Sequence, residues 1–388
     1  MVDLRPWVLE SHISRIASEI QEMELGRKRL AEVFRRAREK DIFDLVPSDL
    51  VQDVFEKRLA YAVNPVRLEG LKVAAVDGGM ISRTFHGVDL MLIRAVAAIF
   101  SYGAEGQVQV EYFPKEYPPP TIVSNLEPLS RSDFEVSASL ERLMAEIKVA
   151  IDCQMRYSMD LLILDGALLP LASDRPSSPL LFKKYENVIK LYEKLYKVSS
   201  DNGVLLAGVV KDSRSTRFIQ ILSRLAPILI SKVEELKDLL SFDYRRVIQR
   251  SRDTEFLYRF LDVGERTPIL KYVESGEKYA PLKDQRPERA ERLHIIYLKP
   301  VEIDTPLRIE YLSNEPNTLN TKIVQRISSL IYSLSRHNAE FGLPSVQIEA
   351  HYQAKLLETD LDFIYDQIIE KTGMNNVSLM KIRKAYGL

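Results

Sequence analysis

Two aspartates follow short apolar runs of the sequence. Asp77 follows the run 73–76 and Asp165 follows the run 161–164, and glycine comes directly after each aspartate. Such runs are typical of buried strands, and converging carboxylates stay ionised only when a cation neutralises them. Mg²⁺ and Mn²⁺ prefer oxygen ligands and serve phosphodiester hydrolysis. The pair predicts such a metal site, with glycines that let a phosphate backbone approach, whereas two ordinary Asp-Gly turns are the alternative.

A third carboxylate is expected from a helix predicted over 132–157, which precedes the Asp165 strand. Glu146 lies one turn from Leu143 and Ala150, beside the apolar stripe, so we prefer it as the third ligand. Glu141 remains an alternative because the helix alone does not fix the register. A solvent-facing glutamate is also compatible with this spacing.

Basic residues follow the next apolar strand, predicted over 204–210. Lys211 at its end suits a phosphate contact, and Arg214 and Arg217 add positive charge near the start of the following helix. The alternative is a helix cap beside a solvated lysine.

Two further features carry candidate functional groups. The run 242–252 contains Arg245 and Arg246 among aromatic residues, which favours a nucleic-acid groove, although charge runs also form solvated faces. His351 lies on a predicted helix after a Gly-Leu-Pro break. It is either a structural histidine or a general acid/base beside the metal.

The elements that position these residues predict a mixed α/β fold. Strands at 71–77, 88–100 and 107–113 have short glycine-containing connections, which favours an antiparallel meander. Alternating helices and strands follow up to about residue 210, which indicates parallel αβ units. This order is that of an RNase H-like mixed sheet flanked by helices, with helical N- and C-terminal extensions.

Composition limits the class of protein. The 388 residues are 46% hydrophobic and carry 54 basic and 55 acidic side chains, a net charge of −1. These values exclude general disorder and a wholly basic nucleic-acid-binding surface. The single cysteine, Cys153, permits no internal disulfide, and no uninterrupted apolar segment reaches the length of a membrane span. We expect a soluble cytoplasmic protein without a signal peptide.

Four segments together resemble the NurA nuclease family. They are VAAVDGG at 73–79, LLILDGAL at 161–168, AGVVKDS at 207–213 and LPSVQIEAHY at 343–352. The resemblance implies a Mn²⁺-dependent DNA nuclease, with Mg²⁺ as the possible substitute, that acts 5′–3′ in DNA end resection and double-strand break repair. It also implies a homodimer that works with a HerA-type hexameric ATPase, in an archaeal or bacterial cytoplasm and at the nucleoid.

By position in these segments, the resemblance assigns metal binding to Asp77 and Asp165 and an active-site role to His351. Glu146 takes the place of the central acidic residue, and Lys211 that of the lysine in the third segment. The chain departs from the family at Leu343, where a tyrosine is common, and at Gly79, where serine is frequent. The missing tyrosine leaves a catalytically silent regulatory subunit of the ATPase as the alternative function.

The same patterns divide the chain into four parts. We predict an N-terminal helical region over 1–70, an RNase H-like core over 71–240, an irregular β-rich and charged insertion over 241–318, and C-terminal helices over 319–388 that complete the active site.

Overall fold

One mixed sheet with helices on both faces forms the centre of the molecule. The computed structural model describes residues 6–126, 129–272, 284, 291–313 and 321–373. Within these ranges eleven strands belong to one sheet. The mixed α/β class predicted from the sequence is confirmed.

The strands and helices are numbered in chain order. The strands are β1 (Tyr61–Ala62), β2 (Lys72–Thr84), β3 (Asp89–Tyr102), β4 (Val108–Phe113), β5 (Thr121–Asn125), β6 (Leu161–Asp165), β7 (Leu205–Val210), β8 (Glu265–Arg266), β9 (Leu270–Lys271), β10 (Leu293–Lys299) and β11 (Leu307–Leu312). The α-helices are α1 (Pro6–Arg35), α2 (Arg131–Arg156), α3 (Pro179–Asp201), α4 (Arg217–Lys232), α5 (Tyr244–Gln249), α6 (Asp253–Phe260), α7 (Thr321–Leu334), α8 (Ser345–Ala354) and α9 (Glu358–Thr372).

The middle of the sheet has the predicted connectivity. Strands β2, β3 and β4 form an antiparallel meander, and β6 pairs in parallel with both β2 and β7. The order along this part is β4-β3-β2-β6-β7. The first strand of the meander is therefore the direct neighbour of the first parallel unit, as the RNase H-like order requires.

Side-chain alternation separates two apolar cores across this sheet. Ala74 and Val76 pack on the side of α2, whereas Val73 and Ala75 pack on the side of α7 and α8. Because successive strand residues point to opposite faces, Asp77 continues the second set and faces the α8 side.

Strand β2 is longer than predicted. The sequence predicts its end at Asp77, but it pairs with β3 as far as Thr84. Its parallel pairing with β6 does end at Val76. Asp77 therefore lies at the end of the parallel pairing rather than at the end of the strand, because β2 and β3 continue past β6 as a long antiparallel ribbon.

Residues 241–318 do not form an irregular insertion where the structure describes them. The antiparallel hairpin β10–β11 is buried and extends the central sheet, since β11 pairs with β7. Most of the predicted charged loop 276–292 lies outside the described residues. The prediction missed this extension because the hairpin pairs with strands far away in the chain.

Candidate active site

Three side chains from three separate elements converge at one edge of the β2–β6 pairing. Asp77 comes from β2, Asp165 from the last position of β6, and His351 from α8. One ligand atom of each lies within 4.8 Å of those of the other two. The convergence of the two aspartates follows from the register, because Val76 pairs with Leu164 and the next residue of each strand faces the same side.

Asp77 is held from two directions in a largely buried position. The Gly78 amide donates to its Oδ1 at 2.6 Å, and His351 Nδ1 lies 2.7 Å from its Oδ2. Burial raises the pKa of Asp77, and the nearby negative charge of Asp165 raises it further, while the His351 contact opposes the rise. The surroundings of Asp77 therefore favour a bound cation when the Asp77 carboxylate is ionised.

Asp165 contacts one predicted residue and one that the sequence analysis missed. Lys211, just after β7, lies 3.0 Å from Asp165 Oδ2, which places this lysine at the cluster. Gln347 is buried and donates through Nε2 to Asp165 Oδ1 at 2.6 Å. Gln347 precedes His351 by one helical turn, so this spacing was the signal that could have identified it.

Glu146 lies beside the cluster, although its ligand atoms are outside the group of three. It is buried at 7% exposure and pairs with Arg142 on the same helix. Burial raises the pKa of Glu146 to about 8; Asp77 and Asp165 add to the rise and Arg142 opposes it. Glu141 instead forms an ion pair with Lys184 at 2.7 Å.

The glycines beside Asp77 make room for protein rather than for DNA. A Cβ at Gly78 would lie 2.3 Å from Glu146 Oε1, and one at Gly79 would lie 2.0 Å from the Ala354 carbonyl oxygen. The expectation that a phosphate backbone fills these positions is therefore wrong for both. Gly166 has a positive φ of 127°, and a Cβ at this position would meet no described atom within 4 Å. Of these three glycines, Gly166 alone keeps open space.

The donor set fits a divalent cation. Asp77 and Asp165 offer carboxylate oxygens, and His351 offers an imidazole nitrogen. Oxygen ligands suit both Mg²⁺ and Mn²⁺, whereas an imidazole ligand suits Mn²⁺ better than Mg²⁺. The predicted set of ligands changes in one respect, since His351 rather than Glu146 completes the group whose ligand atoms lie together.

Comparison with known proteins identifies the family. The family model for the NurA domain matches residues 71–362, most of the chain. The chain belongs to the NurA family. No curated protein sequence matches it.

The structure is similar to that of the NurA nuclease from Sulfolobus solfataricus, with a TM-score of 0.50, 14% sequence identity, and coverage of 93% of this chain and 98% of that chain. A structure of NurA with manganese has a TM-score of 0.41 and 12% identity, covering 95% and 99% of the two chains. The structure of an endonuclease V from Bacillus subtilis matches this chain with a TM-score of 0.31 and 12% sequence identity, over 79% of this chain and 88% of that chain.

The basic residues predicted to bind DNA occupy different places. Arg214 is exposed just after β7, close in sequence to Lys211. Arg217 is only 5% exposed and forms an ion pair with Asp53 at 3.2 Å. Its assignment as a DNA contact is therefore wrong, because its guanidinium is buried between α4 and the segment before β1.

Arg245 and Arg246 are exposed on the short helix α5, which packs against α1. Arg246 forms an ion pair with Glu22 of α1 at 3.0 Å, and Arg245 lies over the Tyr244 ring. Both contacts lie outside the cluster around Asp77, so the structure does not bring this basic run to the candidate metal ligands.

The position where the NurA family commonly has tyrosine is part of the apolar core in this chain. Leu343 is buried among the residues that α7 and α8 place against the sheet. Tyr352, which could have replaced the tyrosine, is 60% exposed, with its ring 6.5 Å from that of His351.

Among the described residues, no helix combines the length and the apolar character of a membrane span.

Proposed function

We propose that this member of the NurA family is a divalent-metal-dependent DNA nuclease. The observation that carries the proposal is the convergence of Asp77, Asp165 and His351 within 4.8 Å. Family membership over residues 71–362 supports the same chemistry.

The residues around the cluster would divide the work of phosphodiester hydrolysis. Asp77 and Asp165 would hold the cation with His351, and the cation supplies water activation and stabilisation of the leaving oxygen. Lys211, 3.0 Å from Asp165, would contact a non-bridging phosphate oxygen. His351, half exposed, would alternatively donate a proton at Nε2 while Nδ1 stays with Asp77.

Glu146 would act as the third acidic group from the opposite side of β2. Its carboxyl group lies against Gly78 and contacts Arg142. A negative charge here would strengthen the attraction for the cation once Glu146 ionises. We therefore retain Glu146 among the catalytic residues, as a group that supports the ligands.

The finer assignments rest on the family resemblance. We propose Mn²⁺ as the preferred ion with Mg²⁺ as a substitute, 5′–3′ exonuclease activity with possible cleavage within single strands, and a role in DNA end resection in the cell interior. A HerA-type hexameric ATPase is the proposed partner of a homodimer. The net charge of −1 supports such a partner, since the chain lacks a general excess of positive charge for gripping DNA.

The test is degradation of end-labelled linear DNA with Mn²⁺, Mg²⁺ or EDTA. We expect metal-dependent cleavage that Asp77→Asn reduces by several orders of magnitude, since an amide keeps the shape of the side chain but not its charge. Glu146→Gln and Glu141→Gln form a matched pair on one helix. The first should lower the rate strongly, and the second should leave it near that of the wild type.

Two results would contradict the proposal. Cleavage that persists unchanged in Asp77→Asn would place the activity elsewhere. Absence of cleavage by the wild type with every metal, alone and with a HerA-type ATPase, would favour the catalytically silent subunit.

A further inference from the structure

An exposed aromatic ring lies directly beside the candidate metal ligands. Tyr352 follows His351 on α8, and the centroids of the two rings are 6.5 Å apart, with their planes at 64°. Tyr352 is 60% exposed, and the His351 side chain is 53% exposed. The buried side of α8 consists of other residues, namely Val346, Gln347, Ala350, Gln353 and Ala354. Packing of the core therefore does not account for the Tyr352 ring.

The hydroxyl of Tyr352 does not hold the structure together either. Among the described residues, no group forms a hydrogen bond with this hydroxyl. The position where the NurA family commonly has tyrosine is occupied by Leu343, which is buried in the core. Both the ring and the hydroxyl of Tyr352 are therefore free to contact a molecule that binds at the cluster of Asp77, Asp165 and His351.

We propose that Tyr352 stacks on the base of the nucleotide whose phosphate lies at this cluster. In a nucleotide the base and the phosphate are attached to one sugar, so the width of that sugar separates them. The 6.5 Å between the rings of His351 and Tyr352 is of this order. Stacking on an aromatic side chain suits every base, because each base has a π face. The inference rests on the proposed nuclease function, since it takes DNA as the ligand of the cluster.

Two lysines indicate how the strand crosses the edge of the sheet. Lys211 follows β7, and Lys355 comes just after α8, where Arg94 of β3 donates to its carbonyl at 2.8 Å. Because the strand order is β7-β6-β2-β3, the two lysines lie on either side of β6 and β2, the strands of the two aspartates. The Lys355 side chain is exposed and, within the described part of the chain, has no partner. Contacts of successive phosphates with these lysines would lead one strand across the cluster.

Stacking on Tyr352 restricts the substrate to a base with a free face. Inside a duplex the neighbouring bases cover both faces of each base, so an aromatic side chain reaches only a base that has left the stack or lies at a strand end. The cluster therefore takes a nucleotide from a single strand or a frayed end. The interior of a duplex has to be opened before it is cut.

The first experiment measures the affinity for a short single-stranded oligonucleotide by fluorescence anisotropy, in EDTA so that metal-dependent cleavage does not interfere. Tyr352→Leu is expected to weaken binding about tenfold, within the usual range for one base stacked on an aromatic side chain. Tyr352→Phe should bind as tightly as the wild type, because it keeps the ring. Phe363→Leu is the control, since Phe363 is 64% exposed on the following helix α9.

Three results of this titration would overturn the proposal. Wild-type affinity in Tyr352→Leu would show that the ring contributes nothing. Equal weakening in Tyr352→Phe and Tyr352→Leu would assign the contact to the hydroxyl. A relaxed circular duplex offers no unstacked base, so all four proteins should bind it equally. An equal loss for Tyr352→Leu on this duplex would show that the ring does not contact a base.

The second experiment removes the base instead of the ring. In a four-nucleotide strand, each position in turn is made abasic. At one position the missing base should weaken binding to the wild type about tenfold and leave binding to Tyr352→Leu unchanged, because the stack is already lost. A penalty of equal size for both proteins at every position would refute the stacking.

The path of the strand is tested by the salt dependence of the same titration. Lys355→Gln should reduce the slope of log affinity against log salt by about 0.7, the value for one phosphate contact on a single strand. Lys190→Gln is the control, since Lys190 is exposed on α3. An unchanged slope in Lys355→Gln would refute the path past this lysine.

These binding measurements do not depend on cleavage. A wild type that shows the Tyr352 effect but cuts no DNA with any metal would refute the nuclease function alone. A metal-dependent nuclease whose Tyr352→Leu variant binds and cuts single strands like the wild type would refute the stacking alone.

Discussion

At the scale of single residues, the acidic centre depends on groups that balance its charge. Asp77, Asp165 and Glu146 lie close enough to influence one another, and each has a different neighbour that offsets its charge. Arg142 contacts Glu146, Lys211 contacts Asp165, and His351 contacts Asp77. A cation would compete with these contacts, so metal binding and protonation should be coupled.

Glu146→Gln is expected to flatten the pH dependence of stability in the metal-free protein. Burial raises the pKa of Glu146 to about 8 from an ordinary value of 4.5. Between these values the folded state keeps a proton that the unfolded state loses, so the free energy of unfolding falls as pH rises. Each unit of difference corresponds to about 1.4 kcal/mol.

The measurement is the unfolding temperature in EDTA across this pH window. The wild type and the control Glu141→Gln should lose stability as pH rises, and Glu146→Gln should lose much less. Equal slopes for all three proteins would show that Glu146 does not hold the proton.

Gln347→Leu is expected to weaken Mn²⁺ binding by about tenfold or more, because groups that orient metal ligands typically contribute this much. The substitution removes the amide that donates to Asp165 Oδ1. Calorimetric titration of Mn²⁺ in the absence of DNA measures the effect without relying on cleavage. Gln353→Leu is the control on the same helix, since Gln353 donates to Glu349 instead. Wild-type affinity in Gln347→Leu would contradict the orienting role.

At the scale of elements, helix α8 brings both Gln347 and His351 to the sheet. Its position depends on a close contact between its last residue and β2, where the Ala354 carbonyl lies over Gly79. The Arg94 side chain adds a second attachment, since it donates to the Lys355 carbonyl at 2.8 Å. A small displacement of α8 would therefore alter two contacts of the acidic centre together.

Gly79→Ala is expected to displace α8 and to lower the free energy of unfolding by about 1–3 kcal/mol, the usual cost of overpacking. The new Cβ would lie 2.0 Å from the Ala354 oxygen. Urea unfolding and the cleavage rate should both report the change. Gly103→Ala is the control, because its nearest neighbour is at 3.6 Å. If the two variants behaved alike, the contact with α8 would not be what requires glycine.

At the scale of the whole molecule, contacts between distant segments join the predicted regions. Strand β1 pairs with β8, and β11 pairs with β7. The buried Arg217 on α4 forms an ion pair with Asp53, which precedes β1. The predicted boundary near residue 240 is thus crossed by sheet pairing, and the boundary near residue 70 by buried charge.

Arg217→Ala is expected to lower the stability of the protein, and Arg214→Ala is expected to weaken DNA binding. Loss of Arg217 removes the nearer of two ion pairs of the buried Asp53, which keeps Arg224 at 3.6 Å, and should lower the free energy of unfolding by about 3 kcal/mol, the lower end for a broken buried pair. Loss of Arg214 should leave stability nearly unchanged and weaken DNA binding. It should also reduce the slope of log affinity against log salt by about 1.

Urea unfolding measures the first effect, and DNA-binding titrations at several salt concentrations in EDTA measure the second. A changed salt slope in Arg217→Ala with undiminished stability would restore Arg217 as a DNA contact.

Local patterns in the sequence were sufficient to predict the core strands and the placement of the two aspartates at one edge of the sheet. The apolar runs before Asp77 and Asp165 and the alternation of helices with strands predicted the parallel pairing of β2, β6 and β7, because burial and periodicity are local properties. The four segments that resemble the NurA family predicted the family, and the family model confirms it.

Only the tertiary structure decided which side chains meet. Arg217 and Lys211 both look like phosphate contacts in the sequence, yet one is buried against Asp53 and the other lies at Asp165. The contact of Gln347 with Asp165 joins residues 182 positions apart. Sequence periodicity places a residue on one face of its own element, whereas packing between distant elements determines what that face contacts.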